Sequence, residues 1–251
     1  MTATELLLVG VVALLAGGLN AVAGGGSLLL FPALVAAGLP PLAANVTTTV
    51  SVWPGYVGTA AGYRAELRGQ RRSVLALAAT ALLGGGTGAA LLLTTPESVF
   101  ETVVPVLVVA ASLLLALQTR VTGWVSTVPG AAGGLRSPLL HVALFLASVY
   151  GGYFGGALGV VLLAVLAVFL TADLQRLNAL RSVLSLLVNT VALGAFALFG
   201  PVDWGVVAVA APACLLGGYL GARVARRLPV EALRGVVVVF GLVVGIALFF
   251  R

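Results

Sequence analysis

In a chain where 61% of residues are hydrophobic and 8% are charged, the residues able to do chemistry stand out by their scarcity, and they fall in four short groups. Asn20 precedes Gly24-Gly25-Gly26-Ser27. Asn45 heads a run with Thr48 and Thr49, with Tyr56 two turns further on. Tyr153 precedes Gly155-Gly156, and Asn178 is followed by Arg181 and Ser182. Amide and hydroxyl donors, glycines that expose backbone N–H groups, and one guanidinium are the parts of an anion-binding site. They are not the parts of a hydrolytic or metal site. The chain has one histidine, His141, and one cysteine, Cys214, with no nucleophile–base pair and no metal-ligand spacing. Neither catalysis nor a metal or other cofactor is therefore implied, and a disulfide is excluded. None of the 7 acids lies deep in an apolar run, which argues against the buried carboxylate that cation pumps and many proton-coupled carriers keep.

These groups sit in a chain whose composition demands a bilayer. A soluble domain carries about a quarter of its residues as charges; this one has too few to wet a surface, and its mean hydropathy is +1.20. The 13 basic residues are all arginine and fall in short blocks between apolar runs. That is the pattern of topology signals, not of a nucleic-acid-binding face. The lipid bilayer is a partner and nucleic acid is not. Ala21-Val22-Ala23 after the first apolar run has the form of a cleavage site, but no basic n-region precedes it and the only early charge is Glu5. The run is read as structure.

Apolar stretches cover 6–37, 46–63, 74–93, 102–118, 139–170, 182–199, 205–222 and 233–250. Six have the length of one span. The other two, 6–37 and 139–170, would be about 48 Å long as unbroken helices, too long to cross a ~30 Å hydrocarbon core once and too short to cross it twice. Both carry glycines where they must break, so each is read as a helical hairpin that enters and leaves on one side. Ser27 suits the N-cap of a helix beginning at Leu28, and Gly155-Gly156 precedes a matching short helix over 158–170. A helix N-terminus carries unpaired N–H groups and about half a positive charge. Two of them face to face would cradle an anion.

A shift of 133 positions superimposes Leu82-Leu83-Gly84-Gly85-x-x-Gly88-Ala89 on Leu215-Leu216-Gly217-Gly218-x-x-Gly221-Ala222, and brings Asn45 onto Asn178 and Pro96 onto Pro229. Charge orients the two halves. Arg64, Arg68, Arg71 and Arg72 follow the second stretch, and Glu97 and Glu101 follow the third; in the second half the matching connections hold Asp203 and then Arg223, Arg226, Arg227 and Arg234. By the positive-inside rule the halves point in opposite directions. The expected fold is an all-α polytopic membrane protein of two inverted-topology repeats, each a broken helical hairpin plus three transmembrane helices. Repeat 1 covers 1–118 and repeat 2 covers 139–251. A cytoplasmic linker at 119–138, glycine- and proline-rich from Ser126 to Ser137, joins them and holds Arg120 and Arg136. Both termini are then extracytoplasmic.

The same residues have plainer readings. Small residues let membrane helices approach closely, and that reading is preferred for Gly84-Gly85-Gly86 and Gly217-Gly218, which lie mid-span. Hydroxyls and amides in membranes usually bond their own backbone or a neighbouring helix, which covers Thr190 and part of the threonines. Asn45 and Asn178 stand apart because the repeat places them at matching positions. Arg181, matched by Thr48, either snorkels to the cytoplasmic interface or pairs with an anion. His141, Trp53, Trp124 and Trp204 read as interfacial, whereas Tyr56, Tyr150 and Tyr153 lie near the breaks and polar groups.

Taken together, Asn20-Ala21-Val22-Ala23-Gly24-Gly25-Gly26-Ser27 with Leu28 to Pro32 after it, the Gly38-Leu39-Pro40-Pro41 turn, Asn45-Val46-Thr47-Thr48-Thr49, Gly155-Gly156 and Asn178-Ala179-Leu180-Arg181-Ser182 resemble the sulfite exporter TauE/SafE family over essentially the whole chain. The resemblance implies a plasma (inner) membrane transporter of small sulfur-containing anions such as sulfite or organosulfonates. The second break reads Gly155-Gly156-Ala157-Leu158 and lacks the serine of the first, so the halves are expected to contribute unequally. The three oxygens of a sulfite or sulfonate suit N–H, hydroxyl, amide and guanidinium donors. The candidate substrate-binding residues are Asn20, Gly25, Gly26, Ser27, Asn45, Thr48, Thr49, Tyr56, Tyr153, Gly155, Gly156, Asn178, Arg181 and Ser182. Alternating access around a midplane site is the expected mechanism; an anion channel of the same architecture and a non-transport membrane subunit are the alternatives. The sequence admits a homo-oligomer without fixing its order.

Overall fold

The structure, a computed structural model, describes residues 3–22, 24–127, 134–224 and 230–249. Ala23, Arg226, Arg227 and Pro229, which entered the readings above, lie outside the described residues, as does 128–133 of the linker. Every regular element described is helical. The first half forms α1 (Ala3–Val22), α2 (Ser27–Ala36), α3 (Pro41–Gly62), α4 (Arg71–Thr94) and α5 (Glu97–Thr127). A 3-10 turn at Gly134–Arg136 precedes the second half, α6 (Pro138–Tyr153), α7 (Leu158–Phe169), α8 (Leu174–Phe199), α9 (Trp204–Val224) and α10 (Val230–Phe249). Five helices, α1, α4, α5, α8 and α9, are long and apolar enough to cross a membrane. Helix α5 runs well past the 118 boundary suggested by hydropathy, because no proline or glycine pair falls between 118 and Pro129.

Local chemistry accounts for the ends and the breaks. Pro41 and Pro138 open α3 and α6 at a first-turn position, where a missing N–H costs nothing. Asp173 caps α8 by accepting the Arg176 N–H at 2.9 Å. The two long apolar stretches break by one device. Gly24 (φ +76°) and Gly155 (φ +73°) take the left-handed conformation, and their N–H groups reach back to Leu19 O and Tyr150 O at 3.0 and 3.2 Å, closing the ends of α1 and α6. The returning arms α2 and α7 have 10 and 12 residues, too short to span.

Helix contacts come in pairs that exchange when the halves are exchanged. Helix α1 lies on α9 and α6 on α4; α3 lies on α9 and α8 on α4; α2 meets α10 and α7 meets α5. Each hairpin thus packs into the opposite half. The repeated glycine segment makes this possible: a Cβ at Gly217 would strike the Leu14 carbonyl and one at Gly84 would lie 2.6 Å from Ser148 Cβ. These mid-span glycines are close-approach positions.

The matching helices α3 and α8 run antiparallel. The Val46 side chain crowds Gly200, Trp53 Nε1 donates to Thr190 Oγ1 at 2.8 Å, and Tyr56 is beside Asn189. Trp53 therefore bonds mid-helix instead of standing at a helix end. Helices α5 and α10 do the same, with Ser112 beside Gly241 and Val108 beside Gly245, two contacts that the 133-residue shift exchanges. At one end of the bundle Gly62 abuts Ala222 and Gln70 Nε2 donates to Arg176 O, which gathers Arg64, Arg68, Arg71, Arg72, Arg176 and Arg223 there. Asp203, whose N–H donates to Thr47 Oγ1, lies at the other. Large apolar side chains such as Leu7, Leu83, Leu146 and Leu198 are exposed toward what must be lipid, while the polar start of α3, Asn45 to Ser51, is buried.

Candidate functional site

The two breaks meet inside the bundle. Gly159, in the first turn of α7, donates its N–H to the Gly24 carbonyl at 3.1 Å, and a Cβ on Gly159 would lie 2.5 Å from Gly24 Cα. At the start of α2, Ser27 Oγ donates to the Gly155 carbonyl at 2.9 Å, and one turn on, Phe31 meets Phe154 edge-on at 5.6 Å. The tips therefore pass each other, each beyond the other's break. One expectation is corrected here. Ser27 does not cap a helix from Leu28: α2 begins at Ser27 itself with no side-chain cap, and the Gly26 N–H goes to Asn20 Oδ1 at 2.7 Å. The tips also spend one of their own amides on each other, the Gly159 N–H on the Gly24 carbonyl. Without a Cβ, Gly24 and Gly159 approach until one backbone satisfies the other.

The first arm of each hairpin ends on a polar side chain from the other half. Asn45 Nδ2, from α3, donates to Tyr153 O at the end of α6 at 3.0 Å. Arg181 Nη2, from α8, donates to Ala21 O and Val22 O at the end of α1, at 3.4 and 3.3 Å. Carbonyls at a helix C-terminus lack intrahelical partners, so a donor there is the expected complement. The arrangement is symmetric in position and asymmetric in charge, because the residue matching Arg181 is Thr48. Arg181 is only 2% exposed, so it does not snorkel; the carbonyl end of α1 draws it inward. Its Nη1 lies against Gly24 and Gly159, and Tyr56 and Tyr63 are near. Among the described residues no carboxylate pairs with it. The α1 terminus supplies about half a negative charge, which leaves roughly half of the guanidinium's charge unanswered in a low-dielectric interior.

Buried polar atoms without hydrogen-bond partners gather around the breaks. They are Asn20 Nδ2, Thr48 Oγ1, Ser51 Oγ, Asn178 Oδ1 and Arg181 Nε, with Ser148 Oγ at the α4–α6 contact. Each unmade bond costs about 1–3 kcal/mol, and protein interiors tolerate few without a ligand or water to explain them. The other sequence candidates are accounted for locally. Thr49 Oγ1 donates to Asn45 O and Ser182 Oγ to Ala179 O within their own helices. Gly25 backs onto Leu115, and the Gly156 carbonyl accepts from the Tyr150 hydroxyl. Tyr153 contributes its carbonyl, while its ring lies 6.0 Å from Phe100. Tyr56 is buried beside Arg181 and Asn189.

The candidates do not converge on one point. Because α3 and α8 are antiparallel, Asn45 and Thr48 lie at the second hairpin's break, and Asn178 and Arg181 at the first. Gly24 belongs with Arg181, and so does Gly159, which sequence reasoning missed; its only signal was a third glycine spaced three residues after Gly156. Cavities open toward both ends. One of about 590 Å³ at the arginine-rich end is lined by Gln70, Ser73, Asp173, Arg176, Leu177 and Leu180, so it reaches the residue before Arg181. Another of about 460 Å³ at the opposite end is lined by Gly38 to Pro41, Ser98, Glu101, Thr102 and Leu248. His141 keeps to the start of α6, where its Nδ1 lies 3.2 Å from Ser137 O.

Comparison with known proteins gives a consistent answer. The family model described as sulfite exporter TauE/SafE matches residues 9–248. The chain is 30% identical over 235 residues to "Probable membrane transporter protein YfcA" of Escherichia coli strain K12, covering 88% of this chain and 81% of that one. It is 25% identical over 247 residues to "Probable membrane transporter protein ORF9" of Sinorhizobium sp, covering 95% and 90%. It is 24% identical over 227 residues to a "Probable membrane transporter protein" of Haemophilus influenzae, covering 88% and 85%. No solved structure matches the chain.

Proposed function

The chain belongs to the sulfite exporter TauE/SafE family of membrane transporters, and from that premise we propose that it carries small sulfur-containing anions, such as sulfite or organosulfonates, outward by alternating access around the hairpin crossing. The observation that carries the reading is Arg181: a buried guanidinium with no carboxylate partner among the described residues, held between the two broken hairpins, with Nε unpartnered there. A pyramidal or tetrahedral oxyanion supplies the missing charge and accepts from Nε and from Asn20 Nδ2. Asn178, Ser27 and Tyr56 complete its surroundings. The inverted orientation of the repeats is supported by the antiparallel α3–α8 and α5–α10 pairs. With the arginine-rich end in the cytoplasm, both termini lie outside and the larger cavity faces the substrate's source. Net export of an anion then runs with a membrane potential that is negative inside. The backbone contact between Gly24 and Gly159 must part for an anion to pass between the tips, as alternating access requires.

The test is thermal unfolding of the purified protein and its Arg181→Met variant with sulfite, sulfate, thiosulfate, sulfoacetate, taurine, carboxylates and simple cations. An anion at a hundredfold excess over Kd adds about 2.7 kcal/mol, or roughly 5–10 °C for a chain of this size. R181M should lose that response while its ligand-free Tm stays at or above wild type, since replacing an imperfectly paired buried ion with an apolar group is often neutral or stabilising. Stabilisation by cations alone, or an undiminished anion response in R181M, defeats the proposal. Sulfite flux into proteoliposomes that saturates and shows counterflow distinguishes a carrier from a channel.

A further inference from the structure

We infer that the translocation path holds two anion stations related by the internal repeat: a charged one at Arg181 by the first break, and a neutral one at Thr48 and Ser51 by the second. This deepens the anion-carrier reading and rests on it. Four observations converge on the neutral station. Thr48 and Ser51 are 1% and 0% exposed, yet neither hydroxyl has a hydrogen-bond partner, although their neighbours Thr47 and Thr49 are both bonded. Thr48 is the repeat mate of Arg181. Asn45, one turn earlier on the same face, bonds the carbonyl end of α6 as Arg181 bonds that of α1, so Thr48 stands to the second hairpin as Arg181 stands to the first. The antiparallel course of α3 and α8 then puts the two groups on opposite sides of the crossing. They cannot form one shell around one anion.

Charge makes the stations unequal. A guanidinium offers a full charge and bonds to a charged group are the stronger kind, whereas two hydroxyls give neutral donors that suit a sulfonate or sulfite oxygen but hold it weakly. The charged station sits toward the arginine-rich end and captures; the neutral one passes the anion on. An uncharged second station also avoids a trap, since passage requires each site to bind weakly enough to release.

The experiment compares wild type, R181M, a Thr48→Val/Ser51→Ala variant and a Thr48→Ser/Ser51→Thr variant, using radiolabelled sulfite for equilibrium binding in detergent and for counterflow in proteoliposomes. R181M should weaken binding at least tenfold. T48V/S51A should leave the Kd of the tight site within twofold yet slow counterflow at least tenfold. Its ligand-free Tm should stay level or rise, because it removes two unsatisfied buried hydroxyls. The T48S/S51T variant, which keeps both hydroxyls, should restore most of the flux. If T48V/S51A weakens tight binding as much as R181M does, there is one shared site and the inference is overturned. It is equally overturned if counterflow is unchanged, or if counterflow and ligand-free Tm fall together, since the hydroxyls are then structural. Absence of sulfite binding by wild type would instead remove the anion-carrier reading itself, and this inference with it.

Discussion

A methyl group added at Gly159 tests whether the hairpin tips touch in the folded protein, because the backbone of Gly24 stands where that carbon must go. The Cβ would lie 2.5 Å from Gly24 Cα and would also strike Arg181 Nη1. A guanidinium can swing aside, but a backbone in the opposite hairpin cannot move without shifting the helix attached to it. Forced overpacking of this kind costs about 1–3 kcal/mol. Gly24→Ala suffers the same collision from the other side, 2.6 Å from Gly159 Cα, and adds a left-handed backbone at φ +76° worth a further ~1–2 kcal/mol. Gly38→Ala separates the two effects, since its φ is +96° with nothing within 4 Å of the added carbon. The expected order of destabilisation is Gly24 above Gly159 and Gly38, with the double Gly24/Gly159 variant losing less than the sum, because one displacement relieves both clashes. At about 2–4 °C per kcal/mol for a chain of this length, thermal unfolding in detergent resolves these differences. A Gly159→Ala protein as stable as wild type, with Gly24→Ala no worse than Gly38→Ala, would refute the crossing.

The hydrogen bond from Ser27 to the Gly155 carbonyl predicts that Ser27→Ala lowers Tm by roughly 2–4 °C, the equivalent of about 1 kcal/mol for one bond; Ser27→Thr, which keeps the hydroxyl, should recover part of it. Glycines in the helices should divide by contact and not by sequence. Gly217→Ala, which drives a methyl into the Leu14 carbonyl, should be strongly destabilising, whereas Gly194→Ala in α8, with nothing within 4 Å, should stabilise by about 0.5–1 kcal/mol. A parallel melt of the two variants decides it, and equal behaviour would mean that the α1–α9 contact is looser than drawn.

How much of this was legible in the chain depends on the range of the interaction involved. Hydropathy and glycine position fixed which segments are helices and where the long ones must break, since both follow from the ~30 Å thickness of a bilayer and from local backbone freedom. The repeat and the arginine blocks suggest two halves and pair their connections. Hydropathy marks 118 as the place where an apolar run stops, whereas α5 stays helical to Thr127. Ser27 was read as a cap because capping is local; its actual partner, Gly155, is 128 residues away. Composition alone determined that this protein lives in lipid and keeps its few polar residues for something other than solvation. Only the tertiary structure decided that Gly24 and Gly159 close on each other, that Arg181 turns inward to the end of α1, and that the antiparallel pairing of α3 with α8 divides the polar residues between two breaks. Those are contacts between segments more than a hundred residues apart, where position follows from how the helices cross, and no local pattern records a crossing.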